Sequence, residues 1–190
     1  LKSTHDSGGI VICKDKSSFD IEAAKTKLSA SLKRDYSKIA REWAYQNVPR
    51  RIIAEEYISE LGKDDLLDYK MYSFHGEPKL TVVCSDRFSK TGTRMNFYDI
   101  NWEPMGIHFG HYPPLPTEFP KPATYEEMKR LTAELSKDCP FLRVDFYEIK
   151  GRLFIGELTL FPGAGLETFR PMSKDYELGE WLHLETVHRS

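Results

Sequence analysis

The sequence lacks long apolar runs, closely spaced cysteines and an excess of charge of either sign. No run approaches the roughly 20 consecutive apolar residues of a membrane-spanning helix, and the polar amino terminus lacks a signal peptide's apolar segment. Lys and Arg number 27 and Asp and Glu number 29, so the net charge of −2 gives no reason to expect nucleic acid or an anionic membrane surface as a partner. These absences favour a soluble protein of the cytoplasm.

The three cysteines, Cys13, Cys84 and Cys139, lie far apart and lack the Cys-x-x-Cys spacing of a zinc or redox site. Reduced thiols of this kind are typical of a reducing cytoplasm. His108 and His111 lie in a loop rich in Pro and Gly with no third ligand nearby, so zinc is not expected there.

A chain of 190 residues with 40% hydrophobic residues can bury a core and corresponds to one domain or two joined subdomains. Asp20 is a predicted helix N-cap, Thr124 and Glu127 form a predicted capping box, and we place a subdomain boundary at residues 59–65. The region from 86 to 122 reads as irregular. Apolar periodicity further predicts a closing helix within residues 176–184 and strands at residues 10–13, 51–58, 68–74, 80–85, 142–149 and 153–160. Strands that return through short turns, with helices between the groups, indicate an α+β fold.

The stretch from Leu142 to Thr159 is the most informative. Because side chains alternate along a strand, Arg143 and Asp145 share one face, opposite an apolar face. A three-residue turn over residues 150–152 would pair Asp145 with Glu157 and Arg143 with Thr159. Two carboxylates placed so closely need a cation between them, and oxygen ligands suit Mg²⁺. Two alternatives stay open: a solvated face on which Arg143 neutralises Asp145, and a two-residue turn that puts the carboxylates on opposite faces.

The glycine pair near the amino terminus is a second candidate site. Backbone N–H groups of Ser7, Gly8 and Gly9 could close around a phosphate, with Lys2 as a point charge on the same anion. A simple turn would have the same sequence.

Two strand segments offer further nucleotide contacts. Residues Glu55, Glu56, Tyr57 and Ile58 could present backbone donors and acceptors to a purine edge, although an ordinary strand end looks the same. Asp68 and Lys70 share a strand face, where a carboxylate could hold ribose hydroxyls and an ammonium could hold phosphate. The alternative for Asp68 and Lys70 is a surface ion pair.

The order of these features resembles the ATP-grasp fold: a lysine and a glycine loop, an acidic strand end, a strand with Asp and Lys, and a charged hairpin followed by Phe161-Pro162-Gly163-Ala164-Gly165. Four stretches are similar, more narrowly, to its TupA-like branch: Arg41-Glu42-Trp43, residues 51–57, Asp68-Tyr69-Lys70, and Asn96-Phe97-Tyr98-Asp99 with Trp102. That branch is associated with teichuronopeptide and other bacterial surface polysaccharide biosynthesis. The resemblance implies an α+β protein with antiparallel sheets, packed helices and two subdomains, residues 1–58 and 59–190, with a nucleotide cleft between them.

The resemblance also implies roles for individual residues. Lys2 and Lys70 would contact ATP phosphates, and Asp68 would bind ribose. Arg143 would face the transferred phosphoryl group. Residues 7–9 would form a mobile phosphate lid, and residues 55–58 would hold adenine. The implied Mg²⁺ ligands are Asp145, Glu157 and Thr159, where Thr159 replaces the Asn usual in the family.

The implied reaction is phosphoryl transfer from ATP to a carboxylate, followed by attack of an amine to form an amide. Arg87 and Arg94, in the region predicted to be irregular, are candidates to clamp the acceptor carboxylate. A sugar hydroxyl kinase and a catalytically weak nucleotide-binding module of a polysaccharide assembly system are the alternatives. Because the chain begins at Leu1 without Met, and ATP-grasp enzymes usually carry a domain ahead of the first lysine strand, we also expect an upstream domain to be missing.

Overall fold

The computed structural model describes residues 1–58, 66–85, 92–115 and 118–184. The chain divides into two compact units, Leu1–Ile58 and Ser59–Ser190. Among the described residues, no helix has the length and apolar character needed to cross a membrane.

The first unit combines two helices with a minimal sheet. Strand β1 (Lys2–Ser3) pairs with β2 (Ile52–Ile53) in antiparallel fashion, and the helices are α1 (Ile21–Lys33) and α2 (Tyr36–Ile39). The predicted N-cap is confirmed, because the side chain of Asp20 accepts a hydrogen bond from the backbone N–H of Ala23 at 2.8 Å.

Two strand predictions in this unit are wrong. Residues 10–13 form no strand, and only Ile10 makes an isolated bridge, to Lys2. The predicted strand at residues 51–58 shortens to Ile52–Ile53. Both segments are apolar enough to suggest strands, but the paired part of this small sheet is only two residues long, so most of their backbone has no strand partner to extend the ladder.

The second unit is built on a five-stranded antiparallel sheet. Its strands, in spatial order β5-β4-β3-β7-β8, are β3 (Asp68–Phe74), β4 (Glu77–Ser85), β5 (Arg94–Asp99), β7 (Phe141–Ile149) and β8 (Arg152–Thr159). A separate pair joins β6 (His108–Phe109) to β9 (Phe169–Arg170). The helices are α3 (Tyr125–Ser136) and α4 (Met172–Gly179). The antiparallel α+β prediction is therefore confirmed.

The two faces of the large sheet carry different cores. On one face, Met128 of α3 is fully buried with Val144 and Phe146 of β7. On the other face, Val82 and Phe97 pack in an apolar cluster with Ile107, with Phe109 of β6 and with Leu178 of α4. This second cluster extends from β5 and β4 to Tyr72 and Phe74 of β3, and the charged residues described below lie on the same face, on β3, β7 and β8.

Three predictions in this unit need correction. Residues 94–99 form β5, not irregular chain, because this polar segment gains a full set of ladder partners on β4. The closing helix is Met172–Gly179, so it begins and ends earlier than predicted. Thr124 occupies the N-cap position of α3, but its side chain accepts no capping hydrogen bond, and its Oγ1 and N–H instead donate to the Glu148 carboxylate, at 2.5 and 2.9 Å.

Candidate functional site

Charged side chains from three adjacent strands meet on one face of the large sheet. Lys70 of β3 lies opposite Asp145 of β7, and Asp145 lies opposite Glu157 of β8. Arg143 lies two residues before Asp145, and Asp68 lies two residues before Lys70, so alternation places both on the same face. We call these five residues the charged row.

The charged row is linked by direct contacts. Lys70 Nζ lies 2.8 Å from Asp68 Oδ2 and also contacts Asp145 Oδ2. Arg143 donates hydrogen bonds to both oxygens of Asp145, from Nε to Oδ1 at 2.6 Å and from Nη2 to Oδ2 at 2.8 Å. The same Nη2 lies 3.3 Å from Glu157 Oε2. Asp68, Lys70 and Asp145 are buried, whereas half of the Glu157 side chain is exposed. The row therefore extends from buried charges on β3 and β7 to the partly exposed Glu157 on the edge strand β8.

Electrostatics keep both cations of the row protonated. Burial lowers the pKa of Lys70, but the carboxylates of Asp68 and Asp145 raise it by more, so the pKa lies above its ordinary value. Burial likewise lowers the pKa of Arg143, and the charge and hydrogen bonds of Asp145 raise it well above its ordinary value. Three carboxylates thus share two fixed cations within the row. That arrangement favours the approach of a further cation on the Glu157 side.

The hairpin that aligns this row differs from its prediction. The turn has two residues, Lys150 and Gly151, and Ile149 pairs with Arg152, so the three-residue turn is wrong. A bulge then shifts the register by one residue, and the predicted pairing of Asp145 with Glu157 is confirmed. The alternative prediction, that a two-residue turn puts the two carboxylates on opposite faces, is wrong. The turn does have two residues, but the bulge brings Glu157 back to the face of Asp145.

The bulge residue is Gly156, which pairs with no residue of β7 in the register. A Cβ atom at this position would lie 2.6 Å from Cε2 of Tyr147, closer than side chains approach one another. The absence of a side chain therefore lets the extra residue fit against β7. By this device Glu157 and Thr159 share the face of Asp145 and Arg143.

The oxygen atoms near Glu157 fit a magnesium ion in part. Thr159 lies opposite Arg143, and its Oγ1 is buried without a hydrogen-bond partner among the described residues. Asp145 uses three of its roughly four acceptor positions, so one remains. Within the same described residues, no group of three or more His, Cys, Asp or Glu side chains is placed to hold a metal. The protein thus offers two carboxylates and a hydroxyl, and Mg²⁺ commonly completes such a set with water and phosphate.

The structure adds Tyr72 to this face, a residue that sequence reasoning missed. Tyr72 lies opposite Arg143, two residues beyond Lys70, and is buried. Burial raises the pKa of its hydroxyl above the ordinary value, and the neighbouring Arg143 acts in the opposite direction. The alternation of Asp68, Lys70 and Tyr72 along β3 is a signal that could have identified it.

The predicted phosphate-contacting residues of the first unit lie near the start of the chain. Lys2 of β1 forms an ion pair with Glu55, with Nζ 2.8 Å from Oε2. Ser7 and Gly8 are exposed, and Gly9 is buried. Lys2 and the loop are therefore available at a surface, and their role toward phosphate stays a prediction.

The predicted adenine segment has no regular structure. Glu55, Glu56, Tyr57 and Ile58 are exposed and follow β2 as irregular chain. Lys14 Nζ lies 6.0 Å from the centroid of the Tyr57 ring. Their adenine role stays a prediction.

Of the two candidate acceptor residues, the structure describes only Arg94, and it does not bring Arg94 to the charged row. Arg94 begins β5 opposite Ser85, so it lies on the sheet face that carries α3 and not on the face of Lys70 and Asp145. Its Nε atom is buried and has no hydrogen-bond partner in the described part of the chain. Arg87 lies outside the described residues. The acceptor clamp stays a prediction from the sequence.

Comparisons with known proteins place these features in a family. A search of curated proteins and a search of solved structures each found no significant match to the chain. A family model described as TupA-like ATP-grasp matches residues 1–183, nearly the whole length. Such coverage includes the glycine loop, all three strands of the charged row and the bulged hairpin, and the chain therefore belongs to the TupA-like ATP-grasp family.

Proposed function

We propose that this protein is an ATP- and Mg²⁺-dependent ligase that joins a carboxylate to an amine through an acyl phosphate, forming a C–N amide bond. Family membership indicates ATP-dependent, ligase-type chemistry. The charged row is the observation that supports phosphoryl transfer to a carboxylate. In this row the cations Lys70 and Arg143 are held beside carboxylates, and the row ends at the partly exposed Glu157. Phosphoryl transfer needs both, because charge spread over phosphoryl oxygens must be stabilised and the reactants positioned.

In this proposal both units contribute residues that bind the nucleotide. Residues 1–58 act as the amino-terminal subdomain, in which Lys2 and the loop from Ser7 to Gly9 bind phosphate and residues 55–58 hold adenine. Residues 59–190 act as the carboxy-terminal subdomain, in which Asp68 binds ribose and Lys70 binds phosphate. The exposure of Ser7, Gly8 and residues 55–58 supports these roles, because a ligand can reach them.

Asp145, Glu157 and Thr159 are the residues that would hold Mg²⁺. When bound, the ion neutralises charge on the phosphate oxygens. The unpartnered Oγ1 of Thr159 supports this assignment, because a buried hydroxyl without a partner is otherwise costly. A neutral hydroxyl at the position of the usual Asn remains an oxygen ligand.

The chain's own cations act on the transferred phosphoryl group. An oxygen of the acceptor carboxylate attacks the γ-phosphorus of ATP, the bond to the β-phosphate oxygen breaks, and ADP leaves. Arg143 and Lys70 are catalytic in this proposal because they contact the phosphoryl oxygens as charge develops there. Asp145 keeps Arg143 oriented through two hydrogen bonds, so little reorganisation is needed during the transfer.

The second half of the reaction forms the amide. The amine attacks the acyl carbon of the acyl phosphate, inorganic phosphate leaves, and the amine loses a proton to solvent. In this proposal the carboxylate belongs to a uronic-acid-containing surface polysaccharide or its precursor and the amine is an amino acid, as the resemblance of the sequence to the TupA-like branch implies. The free thiols Cys13, Cys84 and Cys139 support a reducing cytoplasm as the site of this reaction.

ADP release with defined acceptors tests the proposal. An oligosaccharide of glucuronic acid serves as the carboxylate probe, and a mixture of the common amino acids serves as the amine. We expect ADP and inorganic phosphate only when ATP, Mg²⁺, the carboxylate and the amine are all present. The variant Asp138→Asn, which changes an exposed carboxylate outside the row, should match the wild type.

Three other outcomes contradict the ligase. ADP release with the sugar alone, giving a stable phosphate ester, indicates a hydroxyl kinase. Nucleotide binding without ADP release under any combination indicates a binding module. No thermal shift of the wild type with Mg²⁺ and ATP removes the support for an enzyme.

A further inference from the structure

The loop from His5 to Gly9 is fastened to helix α1 at one residue, Ser31. Ser31 Oγ donates to Asp6 Oδ2 at 2.5 Å and lies 2.7 Å from Ser3 Oγ. Since a hydroxyl has one proton and Ser31 donates its proton to Asp6, Ser3 is the donor in the second bond. Ser31 and Ser3 are both buried. One side chain of α1 therefore connects β1 with the start of the loop.

The far end of the loop packs against the same pair of hydroxyls. A Cβ atom at Gly9 would lie 2.2 Å from Oγ of both Ser3 and Ser31, so only glycine allows this approach. The N–H of Ser3 also donates to the carbonyl of Gly9 at 2.9 Å. The loop thus leaves β1 and returns to it within a few residues, with both ends held.

Arg34, just beyond α1, reinforces the fastening. Its Nε donates to Asp6 Oδ2 at 3.1 Å, its Nη2 contacts the same oxygen, and Nη2 also donates to the carbonyl of Ser7 at 3.1 Å. The Asp6 side chain is fully shielded from solvent. Burial raises the pKa of Asp6, but hydrogen bonds from Ser31 and Arg34 lower it by more, and the net shift is downward. Asp6 is therefore a permanent carboxylate at neutral pH.

The tip of the loop leaves its backbone N–H groups available to a ligand. Ser7 and Gly8 are exposed, and within the described chain their N–H groups donate to no protein acceptor. Gly8 has a φ of 84°, in the left-handed region. Successive backbone N–H groups in such a turn form a concave site for an anion.

We infer that Ser31 and Arg34 are positioning residues that fix both ends of the glycine loop, so that the N–H groups of Ser7 and Gly8 form a preorganised anion site. The anion part of this inference rests on the proposed function, in which the loop binds ATP phosphate. A fixed site loses less conformational freedom when it binds, which raises affinity without a new contact.

Backbone ¹⁵N relaxation on the full 190-residue chain, measured without nucleotide, tests directly whether Ser31 fixes the glycine loop. We expect order parameters of about 0.85 at Ser7 and Gly8 in the wild type and below about 0.6 in Ser31→Ala. The matched control is Ser29→Ala, an exposed position of the same helix, which should behave as the wild type. Low order parameters in the wild type, or equal values in Ser31→Ala and wild type, overturn the inference.

Binding of inorganic tripolyphosphate and of adenosine tests the consequence for anions. Ser31→Ala and Arg34→Lys should each lower tripolyphosphate affinity by about tenfold, corresponding to one or two lost hydrogen bonds, and leave adenosine affinity unchanged. Arg34→Lys keeps the charge and removes the guanidinium fork, so it is informative even where Ser31→Ala folds poorly. Unchanged tripolyphosphate affinity in both variants overturns the inference. If the wild type binds neither ATP nor tripolyphosphate while the order parameters behave as expected, the proposed function fails and the positioning role stands.

Discussion

Among the described residues, two aspartates with buried side chains are each held by an arginine, one in each unit, and they differ in what surrounds them. Asp145 receives Arg143 on both oxygens and Lys70 as a second cation, and only 13% of the Arg143 side chain is exposed. Asp6 receives Arg34 and a serine hydroxyl on a single oxygen, and 47% of the Arg34 side chain is exposed. Both carboxylates accept three donors, but only Asp145 has two cationic partners.

The difference separates two uses of the same ion pair. Around Asp145 the pair holds charges in place inside the protein. Without the Asp145 carboxylate, Lys70 would keep only Asp68 and Arg143 only the 3.3 Å contact with Glu157 as ion-pair partners among the described residues, in a medium of low polarity. Around Asp6 the pair fixes the backbone of the glycine loop, because Arg34 also donates to the carbonyl of Ser7. Solvent can reach this guanidinium. Substitutions on the two sides should therefore fail in different ways: loss of stability at Asp145, and loss of loop order at Asp6.

The largest effect is expected for Asp145→Asn. Loss of this carboxylate leaves Lys70 and Arg143 facing a neutral amide, and we expect the free energy of unfolding to fall by about 3–5 kcal/mol. Mg²⁺-dependent protection by ATP against thermal unfolding should also disappear. Asp6→Asn, measured alongside by chemical denaturation, should cost less because water can solvate Arg34. An equal or greater loss for Asp6→Asn would contradict the distinction between the two pairs.

Gly156→Ala should have the next largest effect. The new Cβ meets the Tyr147 ring at 2.6 Å, so the ring or the bulge must move, at a cost of about 1–3 kcal/mol. Because the bulge aligns Glu157, the protection by Mg²⁺ and ATP should weaken as well. Gly179→Ala, at the end of α4 with open space around its Cβ position, is the control and should be nearly neutral in the same thermal unfolding assay.

Glu157→Gln separates function from stability. Half of the Glu157 side chain is exposed and its contact with Arg143 is 3.3 Å long, so the free energy of unfolding should change by less than about 1 kcal/mol. The Mg²⁺-dependent thermal shift with ATP should nevertheless be abolished. A variant that keeps the full shift would remove Glu157 from the metal site.

Lys2→Ala should have the smallest effect on stability, since its ion pair with Glu55 is partly exposed to solvent. Loss of a charge-assisted contact should lower the affinity for ATP by about tenfold or more and leave adenosine binding unchanged, as measured by calorimetry. Lys16→Ala, at an exposed lysine for which the structure shows no ion pair within the described residues, is the matched control. Equal losses for ATP and adenosine would place Lys2 away from phosphate.

The sequence predicted the charged row well because the row depends on short-range rules. Alternation along β3 and β7 puts Asp68 with Lys70 and Arg143 with Asp145, whatever the rest of the fold does. The pairing of Asp145 with Glu157 was predicted from a wrong turn, and it is correct because the bulge adds the residue that the turn lacks. Neither the length of the turn nor the bulge has a strong signal in a single sequence.

Features that depend on distant partners were not predictable in the same way. Residues 94–99 look like loop until β4 supplies a neighbour, and residues 10–13 look like a strand although most of them gain none. Thr124 has the sequence of a capping residue, but its side chain makes no capping hydrogen bond and instead donates to Glu148 on another element. The fastening of the glycine loop to Ser31 joins residues 25 or more positions apart, and no local pattern indicates it.

The bulge at Gly156 decides which side chains of β8 share the face of the charged row. If the two-residue turn were followed by a regular ladder over the same residues, Gly156 would lie opposite Asp145 and Glu157 opposite Val144, and the side chains of Glu157 and Thr159 would turn toward the apolar face. Deleting Gly156 would instead remove the bulge and keep Ile155 opposite Phe146 and Glu157 opposite Asp145. A relative of this hairpin can therefore lose the extra residue and keep the charged row, but it cannot keep the residue and lose the bulge.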